Sequence, residues 1–121
     1  MRKYLRDPGE FQHVYRNGKR YDGVFITVFV IDNGSRQHRL GVTASRKAVG
    51  NAVQRNRAKR LLRETFRSSE LELSSLATSY DWVLNAKSKV LKEKLTAPLR
   101  EFSQIVGKVG QAELLRLVDK Q

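Results

Sequence analysis

The sequence predicts an α+β fold, an α/β sandwich in which a mixed sheet of roughly four strands packs against about three helices. The run Val24–Ile31 is β-branched and aromatic throughout, and at this length such a run favours a strand. The hairpin turn signal Asp32–Ser35 follows it directly, so the next strand is expected to return beside this one. A long helical pattern at 51–67 then precedes a further strand pattern at Tyr80–Ala86. A strand, a long helix and a strand in this order form a crossover unit within one sheet.

The first element is predicted to be a short helix. Asp7 is suited to the N-cap, Pro8 to the first helical position, and Glu10 completes a capping box. The helix is expected to run to about Arg16. Asn17-Gly18 is then expected to end it in the left-handed conformation.

Three strand segments are predicted next. Lys19–Tyr21 is a short strand that leads into Val24–Ile31. Because Val24–Ile31 is apolar on both faces, we expect an inner strand that is covered on both sides or that lines a binding groove with one face. The returning strand spans 37–45, with an alternating apolar set of Leu40, Val42 and Ala44.

The stretch Arg46–Arg67 contains a strong helix, for which Asn51 is the predicted N-cap. Helical spacing predicts a buried stripe of Val53, Ala58, Leu61, Leu62 and Phe66. The opposite face carries Arg55, Lys59 and Arg63 in line, Asn56 and Arg60 beside them, and Arg57 at the far margin of the stripe. Like charges at this spacing repel by a few tenths of a kcal/mol per pair, so a bound polyanion would favour the arrangement. The alternative is a basic face that is merely solvated.

The remainder of the chain is less regular. Residues 68–79 are polar and predict a loop or a short helical turn. Thr96 is the predicted N-cap of a last long helix, with Pro98 in its first turn. Its buried stripe is expected to comprise Leu99, Phe102, Val106 and Val109. We expect Gly110 to interrupt this helix and 111–120 to form another short one.

Length and charge limit the class of protein. The 121 residues fit one domain, 1–121, and the net charge is +12 with a pI of about 10.5. Such an excess of positive charge points to nucleic acid or to an anionic membrane surface. There is no cysteine, no apolar run long enough to cross a bilayer and no secretory signal pattern at the N-terminus. A cytoplasmic nucleic-acid-binding protein is therefore expected.

No pattern of a protein-borne active site or metal site is visible in the sequence. His13 and His38 are far apart and have no metal-ligand spacing, so both are expected to be polar residues that face solvent or RNA. Asp81 in the strand Tyr80–Ala86 is unusual, and we interpret it as a charge on an edge strand.

The residue order within 45–64 is specific. It contains Ser45-Arg46-Lys47, Gly50-Asn51-Ala52-Val53, the string 55–60 (Arg-Asn-Arg-Ala-Lys-Arg) and Arg63-Glu64. This order resembles the signature of the bacterial ribonuclease P protein subunit. Glu10–Tyr15 is similar to that family's acid-Phe-Gln-x-Val-aromatic segment, and the resemblance extends from about Tyr4 to Phe102.

The resemblance implies a role and a set of site residues. In that family the RNA subunit, with bound Mg²⁺, cleaves precursor tRNA to form the mature 5′ end. The protein binds that RNA and the 5′ leader, so neither a catalytic residue nor a cofactor or metal bound by the protein is expected. The residues that the resemblance assigns to the RNA subunit are Arg46, Lys47, Asn51, Arg55, Asn56, Arg57, Lys59, Arg60 and Arg63.

The resemblance also implies a groove for the single-stranded leader between the first helix and the sheet. From the pattern alone, Phe11 and Tyr15 are ordinary core residues. The resemblance makes them walls of this groove, with Ile26 and Val28 on the groove side of the strand. It further implies a left-handed crossover through the basic helix, although such connections are generally right-handed.

Two other classes remain open. A structural or ribosome-associated RNA-binding protein would be served equally well by the basic helix. A DNA-binding protein that reads the major groove is weaker, because such readers usually dimerise and no dimer seam is visible. We therefore expect RNA partners, and neither DNA nor a membrane.

Overall fold

The computed structural model describes residues 3–119. Its elements in chain order are α1 (Pro8–Asn17), β1 (Lys19–Asp22), β2 (Ile26–Asp32), β3 (Arg39–Thr43), α2 (Arg46–Val49), α3 (Ala52–Arg67), α4 (Glu70–Ser74), β4 (Tyr80–Ala86), a 3-10 helix (Ser88–Lys92) and α5 (Thr96–Asp119). None of these helices is both long and apolar enough to span a bilayer.

The four strands form one mixed sheet in the order β1-β2-β4-β3. β1 pairs with β2 and β2 with β4 in antiparallel fashion, whereas β3 and β4 are parallel. The predicted α+β class with a four-stranded mixed sheet is confirmed. Two short helices, α2 and α4, bring the number of α-helices in 3–119 to five rather than about three.

The turn after β2 is present, but the pairing expected from it is wrong. Gly34 adopts a positive φ of 64° there, and Asn33 Oδ1 accepts a hydrogen bond from the Ser35 amide at 2.9 Å. The chain reverses, yet β4 lies between β2 and β3 and pairs with both. A turn signal specifies only a local reversal. β4 lies inside the sheet because all of its residues except Asn85 are buried, which requires neighbours on both of its edges.

Each face of the sheet has its own apolar cluster. The face toward α3 and α5 holds the larger cluster, in which the Trp82 and Phe102 ring centroids lie 5.4 Å apart in a T-shaped arrangement. The opposite face holds Leu5, Val14 and Val83, with Val14 carried by α1. Burying each such side chain contributes about 1.5–3 kcal/mol, so helices stabilise both faces of the sheet.

The start of α1 follows the prediction, whereas its end does not. Glu10 Oε1 accepts hydrogen bonds from the backbone amides of Arg6 and Asp7, at 3.0 and 3.1 Å. Gly18 has a φ of −83° and is extended, not left-handed. Glycine is required at this position because a Cβ would lie 2.6 Å from the Val14 carbonyl oxygen and 2.9 Å from that of Val30.

The last helix also differs from its prediction. α5 runs without a break from Thr96 to Asp119, so Gly110 does not interrupt it. A glycine inside a helix costs about 1 kcal/mol, which tertiary contacts on both sides of it offset. Val109 is buried, and the buried Glu113 accepts hydrogen bonds from the Ala77 amide at 3.0 Å and from the Tyr80 hydroxyl at 2.5 Å.

Two residues that were expected at the surface are internal. Asp81 lies on the inner strand β4 and is only 4% exposed, so it is not an edge-strand charge. His38 is half-buried, and its Nδ1 accepts hydrogen bonds from the Tyr80 amide at 3.0 Å and from Trp82 Nε1 at 3.1 Å.

Candidate nucleic-acid interface

Local capping builds the basic segment as two helices rather than one. Ser45 Oγ accepts a hydrogen bond from the Ala48 amide at 3.1 Å and begins α2, which carries Arg46 and Lys47. Gly50, with a φ of 121°, then turns the chain into α3. Asn51 caps α3, because its Oδ1 accepts from the Gln54 amide at 2.9 Å. The predicted N-cap is confirmed.

The phase of α3 determines which cations face outward. Ala58, Leu62 and Phe66 pack into the core as predicted, and Leu61 is half-buried. Val53 is 78% exposed, so its assignment to the buried stripe is wrong. Thr65 takes a buried position instead, and its hydroxyl donates to the Leu61 carbonyl at 2.9 Å.

The outward face of α3 is therefore centred on Arg60, rather than on the predicted line through Arg55. Asn56, Arg57, Arg60 and Arg63 are exposed, whereas Arg55 and Lys59 are half-buried. Arg55 Nη1 donates to the Gly50 carbonyl at 2.9 Å, which fastens the start of α3 to the preceding turn. We define the α3 basic face as four of its exposed polar residues, Asn56, Arg57, Arg60 and Arg63.

The sheet face toward α1 presents side chains in three rows across β2, β4 and β3. Strand pairing places Ile31, Asp81 and Arg39 in the first row and Phe29, Val83 and Gly41 in the second. The third row comprises Thr27, Asn85 and Thr43. Alternate residues point to opposite faces of a strand, so each row belongs to one surface.

The two aromatic residues of α1 meet this surface differently. The half-buried Phe11 packs against the second row, where a Cβ on Gly41 would come within 2.6 Å of its ring. Tyr15 is 37% exposed, and its ring meets that of Phe29 edge-on with 4.8 Å between centroids. The Tyr15 hydroxyl donates to Asn85 Oδ1 at 3.0 Å. We call Phe11, Tyr15, Phe29, Asn85 and Thr43 the α1 groove.

The assignment of Ile26 and Val28 to the groove side is wrong. Both side chains are 0% exposed and belong to the cluster beneath α3 and α5, on the opposite face of the sheet. The residues of β2 on the α1 face are Thr27, Phe29 and Ile31. The sequence did not decide between these sets, because the strand carries apolar residues on both of its faces.

The structure adds one basic residue, Arg20, to the groove edge that sequence reasoning did not assign. Arg20 on the edge strand β1 is paired with Phe29, and its guanidinium carbon lies 5.5 Å from the centre of the Phe29 ring. Arg20 also forms a solvent-exposed ion pair with Asp22 at 3.0 Å. The strand alternation could have placed Arg20 beside Phe29 only if the pairing of β1 with β2 had been known.

The groove and the α3 basic face are connected through β3. Thr43 ends β3, and α2 begins at Arg46. Single-stranded bases stack on exposed rings while Lys and Arg bind phosphates, so this arrangement suits a nucleic-acid strand. In residues 3–119, no three His, Asp or Glu side chains are grouped so that they could hold a metal ion.

Comparisons with known proteins agree with this architecture. The ribonuclease P family model matches residues 1–110. The ribonuclease P protein component of Caldanaerobacter subterraneus subsp. tengcongensis is 42% identical over 86 residues, which is 71% of this chain and 71% of that protein. Its counterpart from Natranaerobius thermophilus is 35% identical over 104 residues, 86% of this chain and 87% of that protein.

Solved structures show the same fold. The ribonuclease P protein of Staphylococcus aureus superimposes with a TM-score of 0.74 at 25% identity, covering 91% of this chain and 99% of that one. The family model matches nearly the whole sequence, and the specific strings at 45–64 lie within the matched range. The chain therefore belongs to the ribonuclease P protein family.

Proposed function

We propose that this chain is the cytoplasmic protein subunit that binds the catalytic RNA of ribonuclease P and the 5′ leader of precursor tRNA. In this proposal it aids endonucleolytic removal of the leader. One observation carries the proposal: a half-exposed aromatic groove runs along the sheet to the point where the basic helices begin. The α1 groove would bind a single strand, and the α3 basic face would bind the phosphates of a folded RNA.

The α3 basic face supports the binding of the RNA subunit. Arg57, Arg60 and Arg63 are exposed, and the described residues offer them no ion-pair partner. Cations without intramolecular partners are ready to neutralise phosphates, and each such contact releases condensed counterions. The exposed side chains of Arg46 and Lys47 extend this surface onto α2. We expect binding to weaken steeply as the salt concentration rises.

Asn51 has a role of a different kind. Its side-chain oxygen is occupied by the Gln54 amide, and its backbone amide donates to Gln54 Oε1 at 3.0 Å. Asn51 therefore positions the start of α3 and supports RNA binding through the helix that it begins. Arg55 is similar, because its guanidinium holds the Gly50 carbonyl.

The groove supports the binding of unpaired nucleotides. The exposed part of Tyr15 offers a surface on which a base can stack, a contact worth roughly 1–3 kcal/mol. Arg20 stands over the neighbouring Phe29 ring, where its charge can pair with a phosphate of the strand. A duplex keeps its bases stacked on each other, so the groove favours a single-stranded leader over the body of tRNA.

The division of chemistry follows from the same proposal. The RNA subunit, with its Mg²⁺, hydrolyses the phosphodiester bond. The protein contributes binding and placement of the leader. Its positive charge lowers the repulsion between the two RNAs, an effect that Mg²⁺ would otherwise have to supply.

The test is a cleavage assay at a low magnesium concentration, where ribonuclease P RNA alone cleaves poorly. Added protein should restore cleavage of precursor tRNA at the mature 5′ end. The charge-neutralised variant Arg57→Ala/Arg60→Ala/Arg63→Ala should restore it only at higher protein concentrations. A protein that binds the RNA tightly without stimulating cleavage would instead support a structural RNA-binding role.

A further inference from the structure

The third row of the α1 groove contains one amide with an unused pair of donors. Asn85 lies between Thr27 and Thr43 in the strand pairing, on the groove face of β4. Its side chain is half-buried. On this face of β4, Val83 is apolar and Asp81 is held in a buried ion pair with Arg39, whereas Asn85 is polar and uncharged.

The oxygen of this amide is already saturated. The Thr43 hydroxyl donates to Asn85 Oδ1 at 2.6 Å, and the Tyr15 hydroxyl donates to the same atom at 3.0 Å. A separation of 2.6 Å is within the range of O–H···O hydrogen bonds and below that of bonds made by an amide nitrogen. The two hydroxyl groups therefore fix the orientation of the side chain, with its oxygen turned toward them.

The nitrogen of the amide is free. Within residues 3–119, no group accepts a hydrogen bond from Asn85 Nδ2. In the same residues, every side-chain nitrogen or oxygen that is fully buried has a hydrogen-bond partner, so an atom without one is not fully buried. Nδ2 is therefore accessible to solvent. The hydroxyl of Thr27 does not compete for this space, because it points toward Asp22 Oδ1 at 3.4 Å.

We propose that Asn85 is a specificity-determining residue that donates hydrogen bonds to the leader nucleotide stacked on Tyr15, and so favours bases with a keto group. This inference rests on the proposed function of the groove. The same hydroxyl that orients the amide belongs to Tyr15, so a base lying on that ring has an edge near Nδ2.

The preference follows from the donor and acceptor groups of the bases. A reader that can only donate suits uracil through O4 and guanine through O6 and N7. Adenine offers only N7 beside its exocyclic amino group, and cytosine has an amino group in place of the O4 of uracil, so each makes one hydrogen bond fewer with an N–H donor than the corresponding keto base. Asparagine normally accommodates adenine by accepting with its oxygen as well, and here that oxygen is occupied. We expect a preference of about 2- to 10-fold for uracil and guanine, the range given by one net hydrogen bond.

The test uses the holoenzyme formed from this chain and a bacterial ribonuclease P RNA. Precursor tRNAs that differ in one leader nucleotide compete in the same reaction, and each leader position is varied in turn. Ratios of cleavage rates cancel any general change in affinity. The wild-type protein should show the keto preference at one position, and Asn85→Leu should abolish it there while leaving the ratios at other positions unchanged.

Two further variants separate base reading from simple loss of structure. Asn85→Asp replaces the donors by acceptors, so the ratio should reverse toward adenine and cytosine although all four substrates bind less well. Thr43→Val removes one of the two hydroxyls on the amide oxygen, which frees it to accept from an amino group. This variant should bring the ratio closer to one. Melting temperatures report whether each variant is folded.

The outcomes distinguish this inference from the proposed function. A wild-type protein that does not stimulate cleavage of precursor tRNA overturns the function and the inference with it. A wild-type protein that stimulates cleavage, but whose base ratios are the same in Asn85→Leu and Asn85→Asp, overturns the inference alone. A reversal in Asn85→Asp at a single leader position establishes Asn85 as the reader.

Discussion

Arg39 and Asp81 form a two-point ion pair across the parallel strands β3 and β4. Arg39 Nε donates to Asp81 Oδ1 at 2.8 Å and Nη2 to Oδ2 at 2.6 Å, with side-chain exposures of only 17% and 6%. Arg39 Nη1 also reaches Glu10 Oε2 at 2.9 Å. The pair thus joins the sheet to α1, the helix that forms one wall of the groove.

Removing one partner of this pair should destabilise the protein strongly. In Asp81→Ala, the largely buried Arg39 loses its two-point partner. The free energy of unfolding should fall by about 3 kcal/mol, the lower end of the range for breaking a buried ion pair, because Glu10 still faces the Arg39 guanidinium. Urea denaturation monitored through the buried Trp82 measures this change.

A matched control is available on the edge strand. Asp22 also pairs with an arginine, Arg20, but the two side chains are 56% and 59% exposed. Asp22→Ala should therefore cost less than about 1 kcal/mol. Equal effects of the two substitutions would contradict the assignment of Arg39–Asp81 as a buried structural pair.

Stability should also depend on the ionisation of His38. Burial lowers the pKa of His38 below its usual 6.5, against the opposing influence of the Leu73 carbonyl and the negative charge of Glu113. Its Nε2 lies 3.1 Å from the Leu73 carbonyl and must carry the proton, while Nδ1 accepts two hydrogen bonds. A second proton on Nδ1 would break both of these bonds.

The sign of the effect follows from linkage. The unfolded chain takes up a proton on this histidine near pH 6.5, whereas the folded chain does so only at lower pH. The free energy of unfolding should therefore be highest above pH 6.5. It should decline as the pH falls toward the lowered pKa, by at most about 1.4 kcal/mol per pH unit. Urea denaturation at several pH values between 5 and 8 measures this decline in the free energy of unfolding. His38→Gln should remove this slope, and the exposed His13→Gln should retain it.

The α3 basic face should determine affinity for the RNA subunit. Arg60→Ala should reduce this affinity and flatten the dependence of log K on log salt by roughly 0.7–0.9, the effect of one lost phosphate contact. Arg57→Ala should also reduce affinity, because Arg57 is exposed on the same face. Filter binding at several salt concentrations measures both quantities.

Lys108→Ala provides the control for net charge. Lys108 is exposed on α5 and carries the same charge, outside α2 and α3. Its loss should leave the salt slope nearly unchanged. A common slope for all three variants would mean that general charge, not the α3 basic face, holds the RNA.

Local patterns allowed most of the elements to be predicted. The capping residues Asp7-Glu10 and Asn51 begin helices where expected, and the apolar run before Asp32 forms an inner strand. These features depend on neighbours within a few residues, so the sequence alone contains them. The strand order does not, because the insertion of β4 between β2 and β3 depends on burial of both faces of β4.

The candidate site was predictable only in part for the same reason. The outward positions of Arg60 and Arg63, and the shared face of Phe11 and Tyr15, follow from helical spacing, whereas Arg55 and Lys59 are half-buried against that prediction. The groove side of β2 does not, since Val28 and Phe29 are both apolar and only the packing of α1 determines which of them lines the groove. Asn85 was missed because its role depends on the hydroxyls of Thr43 and Tyr15, which are distant in sequence.

The α1 groove gives a prediction that separates leader binding from folding. Tyr15→Ala removes a ring that is 37% exposed, so precursor tRNA should bind about 1–3 kcal/mol less tightly, while the melting temperature should fall less than in Phe11→Ala. Mature tRNA, which lacks the leader, should bind almost as before. Phe11→Ala should lower both precursor affinity and stability, because Phe11 also packs on the backbone of Gly41.

Tyr21→Ala is the control, since Tyr21 packs against the cluster on the opposite face of the sheet. The affinities of the holoenzyme for precursor and mature tRNA, together with melting curves of each variant, show whether Tyr15 is a wall of the groove or a core residue. If Tyr15→Ala weakened the binding of precursor and mature tRNA equally and also unfolded at a lower temperature, Tyr15 would be a core residue and not a wall of the groove.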